Sequence, residues 1–243
     1  MILKKARVTV KQGIFSVTKH LPTGTAVRTI WAATYPVDRA LQLKRKKQAD
    51  RTTETGRQDW NAYYRKKFPH GYEPMASEHN MDKRFEAIAP FAKGKIVEVG
   101  CADGYFTRKF AQMGHETIGI DLSAHFVDMA KQRAKEQKLK NIEFKLGDAE
   151  RIPIKNGEAD TVFLGQVLEH VENLKRALEE AARIVKPGGN IIITVPTHLM
   201  GTPEHVRTVF PSNLKRLLKP YAQIIKMKQL SFDQYLCVAR RLE

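Results

Sequence analysis

The sequence predicts an α/β fold built on a parallel β-sheet, and three observations support this prediction. Five short apolar runs alternate with stretches of helical periodicity, a glycine-containing turn follows the first run, and two more strands are expected near residue 243. The runs are almost continuously apolar, which is typical of parallel strands covered by helices on both faces. In chain order they are residues 95–99, 117–120, 142–146, 161–164 and 191–195.

Capping residues mark the helices between these runs. A helix over 105–113 is expected to end before Gly114, because glycine tolerates the left-handed backbone that follows a helix. Ser123 is a typical N-cap residue for the next helix. A third helix over 174–185 has one apolar face, and the sequence Pro187-Gly188-Gly189 is expected to stop it before the fifth strand.

The two ends of the chain are less regular. Beyond residue 195 we expect a loop over 196–210, a short helix over 212–219 and an antiparallel strand pair. That pair would comprise residues 223–230 and 234–240. At the other end, the pattern predicts short strands within 2–17, helices over 37–49 and 58–68, and a polar linker over 50–57.

The charge is concentrated in an N-terminal extension, residues 1–75, which precedes a larger domain, residues 76–243. The extension carries 16 Lys and Arg against 5 Asp and Glu, out of a net charge of +16 for the whole chain. Such an arm would attract RNA, an anionic membrane surface or a phosphorylated substrate. The alternative is a solvated extension without a specific partner.

Composition excludes several classes of protein. Hydrophobic residues make up 42% and charged residues 28%, as in an ordinary globular protein. No apolar run approaches the roughly 18 residues of a membrane span, and the N-terminus lacks the pattern of a secretion signal, so a cytoplasmic location is expected. The cysteines Cys101 and Cys237 have no metal-ligand spacing, which argues against a disulfide framework and a zinc finger.

A nucleoside-binding site is predicted where the first three strands end. The small residues Gly100, Ala102 and Gly104 follow the first strand and let the backbone turn close to a ligand. Asp121 ends the second strand, where an acidic side chain can accept hydrogen bonds from both ribose hydroxyls. Asp148 follows the third strand and is placed to reach an adenine amino group. Each signal alone is also explained by helix packing or capping, but together they favour a nucleoside ligand.

The turn is not a dinucleotide fingerprint. That fingerprint needs glycine at its first, third and sixth positions, whereas Ala102 and Tyr105 stand at the third and sixth positions here. This departure argues against NAD.

Five stretches resemble the class I S-adenosylmethionine (SAM)-dependent methyltransferases, particularly the group that includes ubiquinone and menaquinone biosynthesis enzymes. They are EVGCADGYF (98–106), GID (119–121), GDAERIP (147–153), LGQVLEHV (164–171) and RIVKPGGNIIITVP (183–196). The resemblance implies a Rossmann-like sheet of seven strands in the order 3-2-1-4-5-7-6, with strand 7 antiparallel. It also implies that SAM lies across the ends of strands 1 to 4.

The resemblance further implies which residues hold the cofactor. Asp121 and Leu122 would contact the ribose and adenine, and Asp148 and Ala149 the adenine. The methionine part would lie against the loop that includes Cys101 and against a residue after the fourth strand; these positions are Glu98, Gly100, Ala102, Gly104 and Gln166. The family often has glycine where this chain has Ala102.

Glu169, His170 and His205 are the candidate catalytic residues, with three interpretations. One is that His170 or His205 acts as general base. Another is that all three hold a divalent metal, as in the Glu-x-x-Glu-His site of small-RNA 2′-O-methyltransferases and some methoxyquinone enzymes, although Gln166 replaces the first glutamate. The third is that Glu169 only caps or salt-bridges the start of a helix and His170 only packs between strands.

Residues 60–72 contain five aromatic side chains, which suit either a lid over the cofactor or an anchor of the arm to the domain.

The predicted function is SAM-dependent methylation of an oxygen or nitrogen atom in a small-molecule or glycan-type metabolite. The alternatives are an RNA methyltransferase that uses the basic arm, and a SAM-binding protein without catalysis. The sequence does not predict the oligomeric state.

Overall fold

The computed structural model describes residues 8–11, 14–17, 60–72, 81–196, 205–231 and 234–243. The chain forms two compact units, one of residues 1–57 with 198–208 and the other of residues 58–197 with 209–243. In the smaller unit, strands β1 (Val8–Lys11) and β2 (Ile14–Val17) pair antiparallel, which agrees with the strands expected within 2–17. The predicted helix over 37–49 and linker over 50–57 lie outside the described residues.

The larger unit alternates helices and strands. Its helices are α1 (Trp60–Lys67), α2 (Met81–Ile88), α3 (Tyr105–Gln112), α4 (Ala124–Glu136), α5 (Leu174–Ile184) and α6 (Pro211–Leu218), with a 3₁₀ turn at Ala89–Phe91. Its strands are β3 (Ile96–Val99), β4 (Thr117–Asp121), β5 (Ile142–Leu146), β6 (Ala159–Gly165), β7 (Val185–Pro196), β8 (Ala222–Ser231) and β9 (Gln234–Arg241). All five predicted apolar runs are strands.

The described strands of this unit form one seven-stranded sheet in the order β5-β4-β3-β6-β7-β9-β8. The five strands from β5 to β7 are parallel, and β9 runs antiparallel to both of its neighbours. With β3 counted as the first strand, this is the order 3-2-1-4-5-7-6 with strand 7 antiparallel. The predicted fold class is therefore confirmed. The carboxyl ends of β3, β4, β5 and β6 lie along one edge of the sheet.

Helices cover both faces of the sheet, which explains the continuous apolar runs. Val97 of β3 belongs to one buried cluster, whereas its neighbour Ile96 belongs to another with Phe163 and Ile192. Successive residues of a strand point to opposite faces, so a strand that is apolar at every position must be buried on both.

Local signals place most helix ends correctly. Ser123 caps α4 by accepting a hydrogen bond from Phe126 N at 3.4 Å, and Gly114 follows α3 with φ of 92°.

The predicted start of the fifth strand was wrong. Strand β7 begins at Val185, immediately after α5, and Pro187 lies within it rather than before it. The register with β6 shifts here, because Ala159 pairs with Val185 whereas Thr161 pairs with Asn190, so the extra residues lie in β7.

None of the helices in the described residues is long and apolar enough to cross a membrane.

Candidate active site

The loop after β3 has a backbone that only a few residue types adopt. Gly100, Ala102 and Gly104 all have positive φ, at 72°, 46° and 78°. A side chain at Gly100 would overlap Val167, and one at Gly104 would press on Phe144. Both the backbone conformation and the lack of space therefore require glycine at these two positions. The loop therefore brings free backbone close to whatever binds at this edge of the sheet.

Backbone hydrogen bonds join this loop to the neighbouring strand ends. Gly100 N and Cys101 N both donate to Ile120 O, at 2.7 and 2.9 Å, and Gly147 N donates to Asp121 O at 2.9 Å. The side chain of Cys101 is buried with Val127. Burial raises the pKa of the Cys101 thiol well above its usual value, so this thiol is neutral and the residue serves the loop through its backbone. The ends of β3, β4 and β5 are thus held as one surface.

Asp121 fixes the glycine loop as well as ending β4. Its Oδ2 accepts a hydrogen bond from Ala102 N at 2.8 Å, and its Oδ1 accepts one from Ser123 N at 2.9 Å. Burial raises the pKa of Asp121 to about 6, although these backbone donors favour the charged form. The next residue, Leu122, is 48% exposed. Each carboxylate oxygen has a further lone pair, which a ribose hydroxyl can use.

Glu98 is a buried carboxyl in β3. It is 2% exposed and accepts a hydrogen bond from the Thr107 hydroxyl. Burial raises its pKa to about 8, against the opposing effects of Thr107 and the positive charge of Arg84. Sequence reasoning missed Arg84, whose guanidinium lies 5.1 Å from the centre of the Phe106 ring. Its spacing from Met81 and Ile88 on one helical face was the available signal.

The loop after β5 is a tight turn that contains the predicted adenine contacts. Asp148 Oδ1 accepts a hydrogen bond from Glu150 N at 2.8 Å, and Asp148 O accepts one from Arg151 N at 3.0 Å. Asp148 and Ala149 are both half-buried. Their side chains therefore retain partial access to a ligand.

Gln166 has an unusual conformation at the end of β6. Its φ is 59°, a left-handed value that costs a residue with a side chain about 1–2 kcal/mol. Gln166 N donates to Thr194 O at 2.9 Å, while the buried Nε2 donates to none of the described residues. A buried amide without a partner is itself costly, so the position suits a residue that hydrogen-bonds a ligand.

Glu169 and His170 lie in a turn rather than in a helix, closed by a hydrogen bond from His170 N to Val167 O at 2.9 Å. Glu169 is fully buried, and neither carboxylate oxygen accepts a hydrogen bond from another described residue. Burial raises its pKa to about 8, opposed by the charge of Arg84. His205 belongs to the smaller unit, so the predicted metal set of Glu169, His170 and His205 is divided between the units and stays a prediction.

The segment containing α1 packs on the larger unit through its aromatic residues. The rings of Tyr64 and Tyr72 lie 5.1 and 5.6 Å from that of Phe126 in α4, and Asn61 Oδ1 accepts a hydrogen bond from His125 N at 2.9 Å. These contacts perform the anchoring role expected from the sequence. They also place α1 against the start of α4, next to Asp121.

Residues 97–193 match the family described as methyltransferase domain. The matched stretch contains the glycine loop, the ends of β3 to β6 and most of the sheet. In sequence and in strand order, this stretch is similar to the class I SAM-dependent methyltransferases. SAM is the cofactor of this class, and the glycine cradle with the buried Gln166 amide fits such a ligand.

Named relatives align with this methyltransferase domain. A demethylmenaquinone methyltransferase of Lactococcus lactis is 31% identical over 106 residues, which cover 42% of this chain and 42% of the relative. A ubiquinone biosynthesis O-methyltransferase of Coxiella burnetii is 32% identical over 103 residues, covering 42% and 44%. The chain thus spans less than half the length of these two relatives.

A solved structure has the same fold as the methyltransferase domain. The SAM-dependent methyltransferase of Aquifex aeolicus superposes with a TM-score of 0.57 at 17% identity, covering 65% of this chain and 88% of that one.

Proposed function

We propose that the protein is a SAM-dependent methyltransferase whose acceptor is an oxygen or nitrogen atom of a small-molecule or glycan-type metabolite. The observation that carries this proposal is the joining of the ends of β3, β4 and β5 into one cradle. Gly100, Cys101 and Gly147 donate backbone hydrogen bonds to the last two residues of β4. The end of β6 adjoins it, because Val167 lies against Gly100.

In this proposal, the two ends of the cofactor contact different residues of the cradle. Asp121 accepts the ribose hydroxyl protons, while Asp148 and Ala149 line the adenine side. Glu98 and the Gln166 amide lie at the ends of β3 and β6, where the methionine part is expected. The buried Gln166 amide gains a partner when the methionine part binds, which favours the bound state.

Held by the glycine loop, Asp121, Asp148 and Gln166, the cofactor would supply a methyl group on a sulfonium, which would pass to a lone pair of the acceptor with release of the sulfur as a neutral thioether. The protein's part is to align acceptor and methyl group, an effect worth about 7–11 kcal/mol. The turn from Gln166 to His170 is suited to this positioning, because Gln166 N and His170 N both donate backbone hydrogen bonds and Leu168 is buried in the core.

A hydroxyl acceptor must also lose its proton. The Glu169 carboxyl is buried and accepts no hydrogen bond from another described residue, which leaves its oxygens available to a substrate proton. The adjacent His170 is half-buried and offers an imidazole. We assign proton acceptance to one of these two groups. The names of the relatives, which refer to demethylmenaquinone and to ubiquinone biosynthesis, support a small-molecule acceptor.

The test is calorimetric titration of the protein with SAM and with S-adenosylhomocysteine, beside the variant Asp121→Ala. We expect wild type to bind both ligands and the variant to bind at least tenfold more weakly, because it loses the acceptors of the ribose hydroxyls. Labelled SAM is then incubated with metabolite extract and with total RNA. Failure of the folded wild-type protein to bind either ligand would overturn the proposal, and binding without any labelled product would instead favour a non-catalytic SAM-binding protein.

RNA methylation remains the second candidate because α1 ends in the exposed cations Arg65, Lys66 and Lys67. However, the nearby Tyr64 and Tyr72 pack on the domain and are not free to stack on bases. An RNA enzyme would place label in the RNA fraction and bind RNA with a steep salt dependence. A metabolite enzyme would place it in the small-molecule fraction.

A further inference from the structure

Glu150 connects two segments that follow different strands. It lies in the loop after β5, and its Oε1 accepts hydrogen bonds from Glu172 N at 2.7 Å and Asn173 N at 2.9 Å, just before α5. Its own carbonyl accepts a third hydrogen bond, from Arg176 Nε at 3.2 Å. One residue thus holds the loop to the helix through both its side chain and its backbone.

The hydrogen bonds that the Glu150 side chain accepts are stronger than those between neutral groups. The first backbone N–H groups of a helix lack partners within it, and a carboxylate near that end also benefits from the helix dipole. Hydrogen bonds to a charged acceptor are about twice as strong as neutral ones. In a second contact the loop is the donor and the helix is the acceptor: Ile152 N donates to Glu180 Oε2 of α5 at 2.9 Å. The loop is therefore fastened to α5 on both sides of Arg151.

The two connected segments carry residues from opposite ends of the donor site. On the β5 side, Glu150 N donates to Asp148, the residue expected at the adenine. On the β6 side, Glu172 lies two residues after the turn that contains Gln166, Glu169 and His170. That turn has no regular secondary structure of its own, so its position depends on the burial of Val167 and Leu168 in the core and on the contacts at its ends.

We propose that Glu150 is a positioning residue that holds the turn from Gln166 to His170 at a fixed distance from the adenine loop. A bound cofactor then meets its adenine contacts and its methionine contacts at the same time. Glu150 does not touch the cofactor; it acts through the two segments. This inference rests on the proposed function, because it takes both segments to line the donor site.

The experiment compares two ligands on three variants of the full chain. S-adenosylhomocysteine occupies both ends of the site, whereas 5′-methylthioadenosine has the same adenosine but lacks the amino acid. In Glu150→Ala, we expect the affinity for S-adenosylhomocysteine to fall about tenfold and that for 5′-methylthioadenosine only about twofold. Glu150→Gln keeps an oxygen that accepts both hydrogen bonds and should stay within threefold of wild type for both ligands. Glu150→Asp is too short by one methylene and should behave like Glu150→Ala, which covers the case in which the alanine variant does not fold.

Glu179→Ala is the matched control. This glutamate lies on α5, where it forms ion pairs with Lys175 and Arg176 and accepts a hydrogen bond from the Tyr221 hydroxyl, and it forms no hydrogen bond with the loop among the described residues. It should leave the affinities for both ligands unchanged. Equal losses for the two ligands in Glu150→Ala or Glu150→Asp, or no loss for either, would overturn the role of Glu150 while wild-type binding still upholds the donor site. Absence of wild-type binding to both ligands would overturn the donor site and this role together.

Discussion

Asp103 in the loop after β3 forms an ion pair with Arg133 of α4, with 2.5 Å between Oδ2 and Nη1. The Asp103 side chain is 1% exposed, and its Oδ2 also accepts a hydrogen bond from Tyr72 N at 2.6 Å. Arg133 Nη2 donates to His70 O at 2.7 Å. The pair therefore connects the glycine loop, α4 and the segment after α1.

Arg133→Met should destabilise the protein by about 3 kcal/mol, because it leaves the buried Asp103 carboxylate without its cation. Urea unfolding measures this difference directly. Lys186→Met is the control: Lys186 pairs with Asp160 but is 46% exposed, and such a pair contributes less than about 1 kcal/mol. Equal losses in the two variants would show that burial of Asp103 does not strengthen its ion pair.

Ala102→Gly should stabilise the protein by up to about 1 kcal/mol. Ala102 has φ of 46°, and a side chain in the left-handed region costs about 1–2 kcal/mol, part of which is offset by the greater freedom of glycine in the unfolded chain. Thermal unfolding should show a melting temperature a few degrees higher. Ala87→Gly in the last turn of α2 is the matched substitution and should lower stability by up to about 1 kcal/mol. A loss at both positions would contradict the strain assigned to Ala102.

Glu98→Gln should make stability less dependent on pH. Burial raises the pKa of Glu98 to about 8, so the folded protein binds this proton more tightly than the unfolded chain does. The resulting stabilisation is fully present below about pH 4.5 and is lost as the pH rises to about 8. This group alone accounts for a fall of at most about 1.4 kcal/mol per pH unit across that window. Denaturant unfolding at pH 5, 6.5 and 8 should show a shallower slope for the variant.

The exposed Glu143→Gln is the control for this comparison and should keep the wild-type slope. If Glu98→Gln has that slope as well, Glu98 is charged in the folded protein across the whole range.

The sequence was most informative where structure depends on neighbouring residues. The ends of β3, β4 and β5 follow from apolar runs and turn residues, and Ser123 and Gly114 act locally at the helix ends. Glu150 was missed because its partners Glu172 and Asn173 are 22 and 23 residues away, and no local pattern indicates that pairing.

Two other features were missed for different reasons. Arg84 is a cation on an otherwise apolar face of α2, and its partner Thr194 is 110 residues distant. The early start of β7 was missed because proline and glycine normally end regular structure, whereas here they lie within β7 at a shift of its register with β6. The roles of the cofactor residues are inferred from their chemistry and their positions in the fold. They stay predictions until cofactor binding is measured.

Deletion of α1 tests where the boundary lies between the N-terminal extension and the larger domain. The sequence places the boundary between residues 75 and 76, yet α1 lies in the larger compact unit, which begins at residue 58. Removal of residues 58–75 would uncover Phe126, on which Tyr64 and Tyr72 pack, and would take two backbone partners from the Asp103–Arg133 pair.

A chain of residues 58–243 should therefore unfold cooperatively and bind S-adenosylhomocysteine, whereas residues 76–243 should melt about 10 °C lower. Each aromatic pair contributes about 0.5–1.5 kcal/mol beyond its buried area, and 1 kcal/mol corresponds to about 2–4 °C in a domain of this size. Differential scanning calorimetry of the two chains measures the difference. Equal melting temperatures would place the boundary at residue 75 and make α1 an appendage of the arm.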